Sequence, residues 1–91
     1  MSLGPVGNRI LDKLREAFSP DELMVEDDSH RHAGHAGSRP EGETHFSVHL
    51  VSRSFRGKSR IERHRMVNAV LAEELQTRVH ALAITAKTPD E

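Results

Sequence analysis

The sequence predicts an α+β two-layer sandwich in the order αββαβ, with a three-stranded mixed sheet covered by helices on one face. Three observations predict it: an apolar stripe at four-residue spacing near the start, a strictly alternating segment in the middle, and a capping-box helix leading into a last apolar strand. Ninety-one residues are read as one domain, 1–91. A chain this size buries roughly 60–65% of its unfolded surface, which disfavours an enclosed catalytic cavity and favours surface binding.

Gly4-Pro5 opens the first element. Val6, Ile10, Leu14 and Phe18 then form an apolar stripe, widened by Leu11 and Ala17, with Arg9, Asp12, Lys13, Arg15 and Glu16 opposite. Ser19-Pro20-Asp21-Glu22 has the composition of a helix start, but the apolar run behind it is short. One turn and then a strand over about 22–27 is expected. Residues 28–43 hold four Gly or Pro and three His with almost nothing large and apolar. A loop of about fifteen residues is unusual in a compact domain unless it has a function.

From Thr44 the chain alternates. Phe46, Val48 and Leu50 point one way and His45, Ser47 and His49 the other, which predicts a half-buried strand. A polar turn follows, with Phe55 as its apolar anchor. Ser59 and Glu62 make a capping box for a helix running to about Leu75, with Ile61, Val67, Val70, Leu71 and Leu75 inward and an exposed acidic last turn, Glu73-Glu74. After a tight connection at 76–78, Val79 to Ala86 reads as the last strand, with His80 sharing the face of Leu82 and Ile84.

Composition excludes several function classes. The chain has no cysteine, so it builds no disulfide, zinc ribbon, redox CxxC pair or self-contained iron–sulfur site. No apolar run approaches the ~18 residues of a membrane span and the start lacks a signal-peptide core, so the cytoplasm is the expected location and no membrane partner is expected. With three Phe and neither Tyr nor Trp, base-stacking platforms are all but excluded. The net charge of −1 hides an asymmetry: Arg53, Arg56, Lys58, Arg60, Arg63 and Arg65 lie within thirteen residues that hold one acid, Glu62. Together with His64 they form a candidate surface for phosphates, giving salt-dependent affinity, or for the carboxylates of a partner.

Among seven histidines, His80 and the loop residues His30, His32 and His35 are the candidates for chemistry. A strand-end histidine is ordinarily a packed residue bonded to backbone, and histidine-dense loops bind divalent metal adventitiously. A dedicated zinc site wants four ligands in a rigid frame, and no such set is evident. Asp27-Asp28 beside the loop suggests a hydrolase dyad only superficially, since adjacent carboxylates at a strand end point apart. His45 and His49, on the polar strand face, are assigned no role.

Gly42-Glu43-Thr44-His45-Phe46, Leu50-Val51-Ser52, Phe55, Gly57, Arg63-His64-Arg65-Met66-Val67, Val79-His80-Ala81-Leu82-Ala83 and Thr88-Pro89 occur in an order and spacing that resembles the BolA family over residues 6–89. The resemblance implies a core similar to the class II KH fold and a non-enzymatic protein. It implies a monothiol glutaredoxin partner sharing a bridging [2Fe-2S] cluster, in which the glutaredoxin cysteine and a glutathione thiol hold one iron. The BolA-like partner supplies a histidine near its last strand and a histidine or cysteine from the loop between the first two strands. In this chain the strand ligand falls on His80. The loop ligand falls on His32 counting forward from the first strand, or on His35 counting back from Phe46. No cofactor is expected in the isolated chain, which is expected to be a monomer or weak dimer. Some family members are described as DNA-binding transcriptional regulators, a role for which segment 53–65 is the candidate surface. The KH GxxG clamp has no counterpart.

Overall fold

A computed structural model describes residues 3–29 and 42–91. The elements are α1 (Pro5–Phe18), β1 (Glu22–Asp27), β2 (His45–Val51), a 3-10 turn (Arg53–Phe55), α2 (Arg60–Val70), α3 (Ala72–Thr77) and β3 (Ala81–Lys87). The sheet order is β1-β2-β3. β1 runs antiparallel to β2, with Glu22 opposite Val51 and Asp27 opposite Phe46. β3 lies parallel to β2, with His45 opposite Ala81 and Val51 opposite Lys87. The α+β class, the mixed three-stranded sheet and the helical cover are as the sequence predicts.

The stripe of α1 explains its position. Val6, Ile10, Leu14 and Phe18 are all buried, and they meet Phe46, Val48 and Leu50 from β2 in one core. Leu23, Val25, Leu82, Ile84 and Ala86 pack around it. The alternate residues of the sheet, including Met24, Ser47, His49, Ala83 and Thr85, stay on the uncovered face, where Met24 is 61% exposed.

Four details differ from the sequence reading. Ser19 ends α1 instead of starting a new turn: it adopts a left-handed conformation (φ 41°) and its N–H donates to the Arg15 carbonyl at 3.0 Å. Pro20 then prevents continuation of the helix. The long second helix bends at Leu71 (φ −102°, ψ 19°) into α2 and α3, so residues 76 and 77 belong to α3. Ile61 faces solvent at 64% exposure. The inward position one turn before Val67 belongs to Arg63, four residues earlier, because helical neighbours on one face recur at i and i+4. By the same spacing Glu74, seven residues after Val67, is buried at 1% exposure and is not part of an exposed acidic turn.

Glu74 is compensated from α1. Lys13 Nζ lies 2.8 Å from its Oε2 and 3.0 Å from its Oε1, and Arg9 approaches at 3.9 Å. Hydrogen bonds to Glu74 raise the Lys13 pKa above its ordinary value. The two partners are not equivalent. Glu74→Gln leaves a lysine that can turn to water, whereas Lys13→Met strands a buried carboxylate with a distant arginine. Lys13→Met is therefore expected to lower the melting temperature more than Glu74→Gln, and thermal melts of both variants check the order.

Candidate histidine rim and basic cleft

The first strand-to-strand connection leaves and returns at one rim of the sheet, and short polar bonds fix both stems. Ser29 Oγ accepts from the Thr44 N–H at 2.8 Å and the His45 N–H at 3.2 Å, while the Ser29 N–H donates to Asp27 Oδ1 at 2.9 Å. The Asp28 N–H donates to the His45 carbonyl at 2.7 Å, and Ser47 Oγ donates to the Asp28 carboxylate. Asp27 and Asp28 are thus turned to different partners, as expected of neighbours on a strand. On the returning stem Gly42 (φ 74°) and Glu43 (φ 60°) are both left-handed. Glu43 accepts from the Gly7 N–H at 2.8 Å, satisfying a first-turn amide of α1. A side chain at Gly4 would stand 2.5 Å from the Glu43 carboxylate and push it from its place on the Gly7 amide.

β3 reaches the same rim. It starts at Ala81, later than the alternation implied, because Val79 takes the buried place (5% exposure) and the chain bends at His80. The His80 N–H donates to the Thr44 carbonyl at 2.7 Å and its side chain is exposed. His80 therefore does not share the covered face of Leu82 and Ile84. Its ring stacks on His45, centroids 6.3 Å apart and planes at 27°. His45 Nδ1 lies 2.8 Å from Thr44 Oγ1, with the donor set by the tautomer. The sequence reading gave His45 no role. Its signal was its place as the first residue of an alternating strand, but only the β2–β3 register brings it beside His80. His32 and His35, with His30, lie outside the described residues; the stems that carry their segment, Ser29 and Gly42, stand at this rim.

The basic segment divides. Lys58, Arg60, Arg63 and His64 line an open cleft of about 520 Å³ between the start of α2 and the end of β3, where Lys87 joins them. Arg53 and Arg65 are exposed and do not line it. Arg56 pairs with Asp90 at 3.1 Å. Arg63 is less exposed than the other arginines and Lys58 of the segment: its side chain is 13% accessible. Its Nε donates to the Lys58 carbonyl at 3.0 Å and its Nη1 to the Ala86 carbonyl at 3.1 Å. Nη1 and Nη2 also grip the Glu91 carboxylate at 2.6 and 3.0 Å, and the Thr88 N–H adds a bond at 2.9 Å. A residue expected at the surface for a ligand thus clasps helix, strand and tail.

The Arg63 guanidinium, followed by the Thr88 amide, holds the Glu91 carboxyl down at about 2, against an ordinary value of 4.5. A carboxyl depressed by folding contributes stability that is complete above the unfolded value and is lost as pH falls toward the folded one. Glu91→Gln should accordingly melt earlier than the parent at neutral pH, with the gap closing between pH 4.5 and about 2. Thermal melts across that range test this; a gap that does not change with pH rejects it.

Among the described residues no cluster of three or more His, Cys, Asp or Glu could hold a metal ion, and no helix is long and apolar enough to cross a membrane. The αββαβ sandwich with a mixed three-stranded sheet is the fold shared with solved BolA structures. The family model described as BolA-like protein matches residues 14–91. BolA-like protein 1 of Homo sapiens is 51% identical over 88 residues, covering 97% of this chain and 61% of that protein. SufE-like protein 1, chloroplastic/mitochondrial, of Arabidopsis thaliana is 48% identical over 95 residues, covering 100% of this chain and 26% of that protein. The chain therefore spans about a quarter to three fifths of the length of these curated relatives. The solved BolA domain of SufE1 from Arabidopsis thaliana superposes with a TM-score of 0.89 at 48% identity, over 98% of each chain. The chain belongs to the BolA-like protein family.

Proposed function

We propose that this chain is a non-catalytic BolA-like adaptor that pairs with a monothiol glutaredoxin and completes a shared [2Fe-2S] cluster with its histidines. The observation that carries the reading is the exposed imidazole of His80, stacked on His45 at the rim where the stems of the histidine-bearing segment 30–35 stand. The donor set fits half of such a site. Imidazole nitrogens replace thiolates on one iron of Rieske-type [2Fe-2S] clusters, and the sequence contains no cysteine, so the sulfur ligands come from the glutaredoxin and glutathione.

When bound, the cluster supplies iron–sulfur redox and transfer chemistry; the residues of this chain bind and orient. The Thr44 carbonyl fixes the backbone at His80, and Ser29 fixes the backbone at His45 through its amide bond. The role that follows is to alter cluster stability and delivery, linking iron–sulfur supply to a response. Mixing the protein with a monothiol glutaredoxin, glutathione, iron and sulfide, and recording visible absorption and circular dichroism, tests this. A spectrum distinct from the glutaredoxin homodimer, altered by His32→Ala or His35→Ala, is expected. A spectrum identical to the homodimer rejects the reading. Because neutral imidazole is the ligand form, the mixed complex should weaken below about pH 6.

A further inference from the structure

At the other end of β3, seven residues from His80 and roughly 23 Å away at about 3.3 Å per residue, lies the basic cleft. Its lining includes Lys58, Arg60, Arg63 and Lys87, with Glu91 as the one acidic side chain among the lining residues. A group of cations facing one carboxylate leaves positive charge over, and Lys58 and Arg60 are exposed. Glu91 also shows what the cleft accepts. Its carboxylate is held by a two-pronged guanidinium grip and one backbone amide, the geometry by which arginine recognises carboxylates with both strength and direction. Beside it, Asp90 rests on Arg56 at 3.1 Å. Two consecutive acidic residues on a short turn, each matched to its own arginine, are how an acidic peptide strand would seat here.

We propose that the cleft between the start of α2 and the end of β3 is a docking site for an acidic peptide segment of a partner protein, and that Asp90 and Glu91 occupy it as an internal competitor. A tethered competitor acts through its effective concentration and weakens an external ligand without any change in the site. The inference does not depend on the cluster reading, since it uses the opposite end of the strand and none of the histidines of the rim.

The test is binding of a short fluorescein-labelled peptide of alternating Asp and Glu to the full chain at low ionic strength, followed by anisotropy. Glu91→Gln is expected to tighten binding about three- to tenfold, the range for releasing a partly screened ion pair, and Asp90→Asn to add to it. Lys58→Ala and Arg60→Ala should weaken binding and reduce its salt dependence. These substitutions lie at exposed positions, and far-UV circular dichroism confirms that each variant is folded; Arg63 is left intact because it also holds the Lys58 and Ala86 carbonyls. Peptide affinity unchanged by Glu91→Gln, or no peptide binding by that variant, overturns the proposal. So does a duplex DNA of random sequence that binds Glu91→Gln when the peptide does not, which would make the cleft a phosphate-backbone surface.

Discussion

Replacing Phe55 by alanine is expected to destabilise the fold by about 3–5 kcal/mol, the range for deleting a buried aromatic ring. Phe55 is fully buried, and its ring meets Phe18 with centroids 5.0 Å apart at 40°, a tilted arrangement that adds to simple burial. It also closes a junction. Ser52 Oγ donates to the Phe18 carbonyl at 2.7 Å and accepts from the Ser54 N–H at 3.1 Å, so the end of α1, the end of β2 and the 3-10 turn converge on these two rings. Against the ~5–15 kcal/mol stability of a native domain, and the low end of that range for a small one, the loss takes much of the total. At about 4–8 °C per kcal/mol for a domain of this size, the melting temperature should drop by roughly 12–40 °C. Ile61→Ala is the control: its side chain is 64% exposed, so its effect should stay within about 0.5 kcal/mol. Urea and thermal melts by circular dichroism decide both. A Phe55 loss below about 1 kcal/mol, or an Ile61 loss of core size, contradicts the packing described.

That pair shows where the sequence was legible. Local repeats transmit well: the four-residue stripe of α1 and the alternation of β2 name residues that the structure buries, while the helix that starts at the capping box buries Val67 and Leu71 as expected but turns Ile61 to solvent. The capping box forms with both of its bonds, Glu62 N–H to Ser59 Oγ at 3.1 Å and Ser59 N–H to Glu62 Oε1 at 2.7 Å. Hydrophobicity alone misleads when a charged residue takes an inward position. Arg63 and Glu74 stand at helical spacing from Val67, but charge assigns them to the surface, Arg63 to a ligand-facing basic patch and Glu74 to an exposed acidic turn. Burial is tolerable for each only through a partner distant in sequence, Glu91 for one and Lys13 for the other, and such partners are not visible in a local pattern.

The rim was legible in part for a related reason. The resemblance and the strand pattern single out His80 but aim it wrongly, at the face of Leu82 and Ile84, because the strand starts at Ala81, two residues later than the pattern implies, and Val79 fills the core place. Nothing in the sequence singles out His45, because alternation puts it on a polar face, where a histidine needs no explanation. Its importance arises from the parallel register of β2 and β3, a non-local fact. The basic segment was legible as charge and illegible as a site, since the acids that organise it, Asp90 and Glu91, come from the far end of the fold.

His80→Ala should erase the spectral difference between the mixed complex and the glutaredoxin homodimer, the largest functional effect expected of any single substitution described. On the proposed reading, this substitution removes a cluster ligand, the one described imidazole that is exposed at the rim. His45→Ala tests a different role. It removes the stacked neighbour at 6.3 Å and the ring beside Thr44 Oγ1, so the complex should still form but with about 10–100-fold weaker retention of the cluster, the scale of an orienting group. His49→Ala, further along the bare face opposite Met24 and Thr85, should leave the spectrum unchanged. The ordering separates ligand from positioner from bystander, and it is read by titrating a chelator against each mixed complex and following the visible band. The proposed cluster role fails if His80→Ala retains the cluster as the parent does. If His45→Ala matches His80→Ala in full, His45 is itself a ligand and the loop histidines are not required.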